Sequence, residues 1–123
     1  MGAAPGGSAQ TDGGVESNGA RAGLTGFVAG LARQVARHNV TINNLLPGPF
    51  DTARTVDGLR IRSAKAGQDF DTFAAAQRAD VPAGRFGAPE EFGKACAFLC
   101  GADAGFIVGQ NLLIDGGAVN LTI

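Results

Sequence analysis

Two short apolar runs, each closed by residues that cannot extend a strand, fix what this chain can build. Val40-Thr41-Ile42-Asn43-Asn44-Leu45-Leu46 stops at Pro47-Gly48-Pro49, and Asn111–Asp115 stops at Gly116-Gly117. Proline lacks the N–H that a ladder needs and glycine weakens a strand interior, so both runs read as short strands with hard ends. The long stretch between them carries helical patterning and is no hairpin turn. Strands joined by such a crossover pair in parallel. The order helix, strand, helical excursion, helix, strand belongs to α/β layering.

The helices are legible from spacing. Leu24, Phe27, Val28, Leu31 and Val35 recur at the intervals of one helix face, which predicts a helix from an Asn18 N-cap to about Arg37. Gly19, Gly23, Gly26 and Gly30 occupy another face of that helix. Each costs roughly 1 kcal/mol of helix propensity relative to alanine. Such a face suits close approach by another backbone, or packing against the chain's own sheet, and both readings stand. Weaker patterns predict helices near Val56–Ala66 and Asp71–Ala79, the second capped by Asp69 or Asp71. Pro89-Glu90-Glu91 is a strong helix start, with proline in the first turn and acids where the helix dipole favours them. Phe92, Ala95, Cys96 and Leu99 form its apolar face, and Gly101 ends it.

Residues 1–16 are rich in Gly, Ala, Ser and Gln and are expected to form a flexible segment, because they hold too little apolar surface to order themselves. A formal net charge of -1 argues against nucleic-acid and membrane partners. No apolar run approaches the ~20 residues of a membrane span, and the first residues lack the basic flank and apolar core of a signal peptide, so a cytoplasmic protein is expected. Cys96 and Cys100 stand four apart on a helix, a poor disulfide geometry. No histidine or carboxylate cluster joins them, so they are expected as small core residues and no metal site is expected.

Several blocks in order carry a resemblance. Ser17-Asn18-Gly19-Ala20-Arg21 opens the first helix, Asn43 precedes Pro47-Gly48, Arg85-Phe86-Gly87-Ala88-Pro89-Glu90-Glu91 opens the last, and Gly109-Gln110 leads into Asp115-Gly116-Gly117. Residues 17–123 resemble the C-terminal half of the short-chain dehydrogenase/reductase family. The resemblance implies half of a doubly wound parallel Rossmann-like sheet, with two core strands and three to four helices. It also implies an NAD or NADP cofactor whose nicotinamide side lies against Pro47, Gly48, Pro49, Phe50 and Thr52. The family's catalytic Tyr-x-x-x-Lys falls on Ser17 and Arg21, and the chain contains no tyrosine at all. A serine alcohol is too weakly acidic to shuttle a proton near neutral pH without a strong base, and arginine stays protonated where lysine would tune its partner.

The family's phosphate-cradling glycine turn follows a strand and opens a helix. Gly6-Gly7 and Gly13-Gly14 lack that setting. The sequence therefore points to a truncated or atypical member that is not a competent oxidoreductase alone. The alternatives are an enzyme active only with a partner or missing half, and a homo-oligomeric interaction module on a relic scaffold. An apolar strand edge left open is an aggregation hazard unless covered, so a homodimer or larger assembly is expected.

Other chemistry has little support. Ser17 and the sole histidine, His38, sit at opposite ends of one helix, ~30 Å apart at 1.5 Å per residue. With Asp51 they make no triad within one chain. Asp51, Asp57, Asp69, Asp71, Asp80, Glu90, Glu91 and Asp103 are expected as solvated or helix-capping acids.

Overall fold

The computed structural model describes residues 13–120, and side chains from Gly23 onward. Helix α1 (Gly13–Val35) tightens into a 3-10 turn (Ala36–His38) and leads to strand β1 (Asn44–Pro47). Helices α2 (Ala53–Lys65), α3 (Phe70–Ala79) and α4 (Pro89–Leu99), then a second 3-10 turn (Ala102–Ala104), precede strand β2 (Asn111–Ile114). The strands pair in parallel, from Asn44 opposite Asn111 to Pro47 opposite Ile114. The architecture is the partial Rossmann-like α/β fold, two strands and four helices among the described residues.

The clearest departures from the sequence reading are the start of α1 and the two ends of β1, while α2, α3 and β2 also shift at their ends. Helix α1 begins at Gly13, so Asn18 lies inside it rather than capping it, and Gly13–Glu16 are helical. Extending an existing helix backwards costs only propagation, which polar and glycine residues tolerate; nucleation is the expensive step. At its other end the chain leaves through Asn39, left-handed at φ 59°, a conformation asparagine accepts more readily than most residues. Strand β1 begins at Asn44, not Val40. Asn43 replaces the ladder at that end: its Oδ1 accepts from Gln110 N at 3.0 Å and its Nδ2 donates to Ile107 O at 2.8 Å. Pro47 is the last strand residue rather than a residue beyond it. Its missing N–H faces away from β2, and the next N–H, that of Gly48, donates to Ile114 O at 2.9 Å.

The excursion between the strands is better ordered than its composition suggests. Thr52 caps α2, taking the Thr55 N–H on its hydroxyl, and Asp69 rather than Asp71 caps α3. The Thr72 N–H, followed by the Thr72 hydroxyl, holds the Asp69 carboxyl below its ordinary range. Leu59, Ala74, Val81 and Phe86 form the buried cluster, with Phe70 and Phe73 packed against it. Arginines roof it: the Arg60 guanidinium lies 4.5 Å over Phe70 and that of Arg78 5.3 Å over Phe86.

This core lies around α2 and α3, not over the sheet. Leu46, Leu112 and Leu113 of the strands and Leu24 and Phe27 of α1 are exposed. The cysteines correct another expectation: Cys96 and Cys100 are free and exposed, not buried. They face a groove against Thr41, Ile42 and Leu45, and no described element covers it.

Candidate functional site

The segment leaving β1 is held as a strap. Gly87 donates to Pro49 O at 3.0 Å, and Asp51 N donates back to Gly87 O at 2.9 Å, so Phe50 is pinned opposite Gly87. Glycine is required there by space, because a Cβ on Gly87 would lie 2.5 Å from Phe50 Cε1. Phe50 is buried and meets Phe92 edge-on, with centroids 5.7 Å apart. Gly48 is closer still to its neighbour. A Cβ there would lie 2.5 Å from Asp115 Cα and nearer yet to Asp115 Cβ. The two strand ends thus touch backbone to backbone.

Two cavities flank Phe50 at the carboxyl ends of the strands, where open α/β sheets bind ligands. The larger, about 440 Å³, lies between the starts of α2 and α4. Pro47, Phe50, Pro89 and Phe92 give it apolar walls, Gly48 an open backbone, and Thr52, Arg54 and Thr55 a polar end. The smaller, about 210 Å³, lies on the Arg85, Glu91 and Asp115 side. The Asp115 carboxylate is already engaged there, accepting from Gly117 N at 2.9 Å and Val119 N at 2.8 Å. Asp51 is also engaged, accepting from Arg78 at 2.8 Å, so it leaves the larger cavity without a carboxylate.

Arg85 and Glu91 set the entry of α4. Arg85 donates both guanidinium arms to the two Glu91 oxygens at 2.8 Å. Glu91 Oε2 also accepts from Ala88 N at 2.7 Å, half of a capping box without a capping side chain. Arg85, then the Ala88 N–H, pulls the Glu91 carboxyl from its ordinary 4.5 to about 2. A depressed carboxyl stabilises the fold fully above its unfolded pKa, and that contribution disappears as pH falls from about 4.5 through about 2. Glu91→Gln is therefore expected to be less stable than wild type at pH 6, with the difference closing near pH 2. Urea midpoints at pH 6 and pH 2 check this, and a gap unchanged between them refutes it.

The structure brings Pro47, Gly48, Phe50 and Thr52 to the larger cavity and places Pro49 on the smaller one. Ser17 and Arg21 lie on α1, where their side chains are outside the described residues. Ser17 lies near the start of α1 and His38 in the 3-10 turn beyond its far end, and Asp51 pairs with Arg78. Arg54 and Phe92 were invisible as site residues in the sequence. Only the spacing from Thr52 along α2, and the Gly87 contact that turns Phe50 toward Phe92, place them there.

Residues 7–119 match the family described as enoyl-(acyl carrier protein) reductase. The 3-oxoacyl-(acyl carrier protein) reductase FabG of Vibrio cholerae is 40% identical over 98 residues, covering 80% of this chain and 36% of that protein. That of Aquifex aeolicus is 34% identical over 97 residues, covering 79% and 35%. The chain thus spans little more than a third of the length of these relatives. Among solved structures, YwfH, an NADPH-dependent reductase involved in bacilysin biosynthesis, superposes with a TM-score of 0.74 at 29% identity. The match covers 82% of this chain and 38% of that one. L-sorbose reductase from Gluconobacter frateurii, complexed with NADPH and L-sorbose, gives 0.74 at 27% identity, covering 82% and 39%.

Proposed function

The chain belongs to the short-chain dehydrogenase/reductase family, and we propose that it supplies the nicotinamide-facing part of an NAD(P)H site without the proton-delivery pair of an active reductase. One observation carries this reading: the strap after β1 gathers Pro47, Gly48, Phe50 and Thr52 around a single cavity at the strand ends. Its volume of about 440 Å³ falls within the ~300–1,000 Å³ usual for small-molecule sites. The donor set fits the nicotinamide end of the cofactor. Gly48 presents bare backbone to a flat ring, Phe50 and Pro47 exclude water beside it, and Thr52 offers a hydroxyl at a helix start. When bound, such a cofactor supplies a hydride.

Proton supply is where the chain departs from its family. Ser17 and Arg21 stand one helical turn apart on α1, at the positions that the resemblance gives to the tyrosine and lysine. A serine hydroxyl has no neutral-pH role as a proton donor without a strong base, and a guanidinium offers none. The expected result is saturable NADH or NADPH binding, read by nicotinamide fluorescence, without ketone reduction. The chain has no tryptophan or tyrosine to complicate that signal. Absence of binding at millimolar cofactor overturns the site reading, and turnover on a carbonyl panel overturns the claim about Ser17 and Arg21. No described helix is long and apolar enough to cross a membrane, in keeping with a cytoplasmic setting.

A second reading, self-association, is favoured by α1. Leu24 and Phe27 are 60% and 67% exposed, and Gly23, Gly26 and Gly30 have nothing within 4 Å of a built Cβ. Exposed apolar surface of this kind marks an interface. We expect a homodimer or larger assembly by light scattering, and Phe27→Asp to shift it to monomer. A wild-type monomer at micromolar concentration refutes the assembly.

A further inference from the structure

The exposure of Cys96 and Cys100 gives them a chemistry that burial would deny. Both thiols are free, and both line one groove of about 280 Å³ with Ile42, Leu45 and Leu99. Cys100 closes α4, and its N–H donates to Cys96 O at 3.0 Å. The helix is therefore regular across the pair, and both side chains rise from one face. Side chains four apart on a helix have Cβ atoms about 5–6 Å apart, against the ~3.5–4.5 Å of a disulfide. The pair is too wide to close on itself, whereas a single atom set between the two sulfurs spans the gap.

The donor set decides which atom fits. No carboxylate, histidine or charged group lines the groove. The Asn43 amide, its polar neighbour, is committed at both ends to Ile107 and Gln110. Among the described residues no group of three or more ligating side chains is placed to hold a metal. Structural zinc takes four ligands, and magnesium and calcium take oxygen, so this groove serves none of them. It serves a soft monovalent ion that accepts two sulfurs in line, and among the metals that thiolates select this is copper(I).

We infer that Cys96 and Cys100 form a two-thiolate site for copper(I). Each thiol gives its proton to solvent and forms one S–Cu bond. Two S–H bonds break, two S–Cu bonds form and copper stays monovalent, so no oxidant or reductant takes part. Because protons leave, binding tightens as pH rises. The apolar walls of Ile42, Leu45 and Leu99 offer a hydrated hard cation nothing in exchange for its water. The groove shares no residue with the cavity beside Phe50, so the site stands whether or not that cavity takes a nicotinamide.

The test titrates copper(I), kept monovalent by ascorbate without air, into wild type, Cys96→Ser and Cys100→Ser in competition with the coloured chelator bicinchoninate. Wild type is expected to retain one copper per chain. Each single variant should hold it about a hundredfold more weakly, the lower end of the gain from joining two donors on one scaffold. Cys96→Ala and Cys100→Ala repeat the comparison without a hydroxyl, and unchanged far-ultraviolet circular dichroism confirms the fold of each variant. A single-cysteine variant that retains copper as wild type does overturns the site, and so does a wild type that yields all its copper to the chelator. One copper for every two chains, read by native mass spectrometry, also overturns it, because the ion then lies between copies.

Discussion

Gly48→Ala is expected to cost about 3 kcal/mol, the upper end of the ~1–3 kcal/mol typical of overpacked sites. The added methyl carbon would overlap Asp115 at both Cα and Cβ, so a backbone has to move. The two atoms it meets belong to the residue after β2, and Gly48 N donates to Ile114 O at the end of the ladder. Relief of the clash therefore opens the strand pair where the larger cavity begins. With a urea slope of ~1–3 kcal/mol per molar, the midpoint falls by roughly 1 M or more. Gly93→Ala is the matching control. Gly93 lies inside α4 with nothing within 4 Å, so the same methyl gains helix propensity, up to ~1 kcal/mol. Opposite signs at the two positions are the expected outcome. Equal midpoints for Gly48→Ala and wild type would show that the strand ends yield freely, and with that the close approach loses its role.

How much of this was legible before the structure differs by kind of signal. Hard stops act locally and were read to within a residue: β1 ends on Pro47 itself, and β2 ends at Ile114, just ahead of Gly116-Gly117. Pro89 opens α4 for the same reason. The parallel pairing followed from the long connection. What failed were features that depend on distant partners. Val40–Asn43 has strand composition, but Asn43 bonds the Ile107–Gln110 loop through its side chain, so the ladder starts only at Asn44. Cys96 and Cys100 have the chemistry of core residues, and their exposure reflects which elements lie over α4, something helix periodicity does not encode. The site followed the same division. Pro47, Gly48, Phe50 and Thr52, contiguous with a motif, line the larger cavity. Phe92 and Arg54 enter through the fold: Phe50, held over Gly87, meets Phe92, and one turn of α2 sets Arg54 beside Thr52.

Leu59→Ala is expected to be the more damaging change, although Leu59 touches neither cavity. Its side chain is the largest that is fully buried among the described residues, enclosed by Ala74, Val81 and Phe86. Truncating a buried leucine costs about 2–5 kcal/mol, partly for lost transfer and partly for the hole left behind. A folded domain commands only ~5–15 kcal/mol in total. Here the buried apolar cluster is small and the sheet's leucines are exposed, so little other packing compensates. The loss also reaches the site, because Val81 and Phe86 bound the connection that carries Gly87, and Gly87 pins Phe50. Leu59→Ala should therefore lower the urea midpoint by at least as much as Gly48→Ala and weaken cofactor binding with it. Leu59→Met, nearly conserving volume, should cost less than ~1.5 kcal/mol. Phe27→Ala supplies the contrast. That ring is 67% exposed, so in a monomer its loss falls within the ~0.5 kcal/mol of ordinary surface changes. A penalty at Phe27 that grows with protein concentration locates the missing partner surface on α1, whereas a small effect at Leu59 means that the fold is held somewhere other than between α2 and α3.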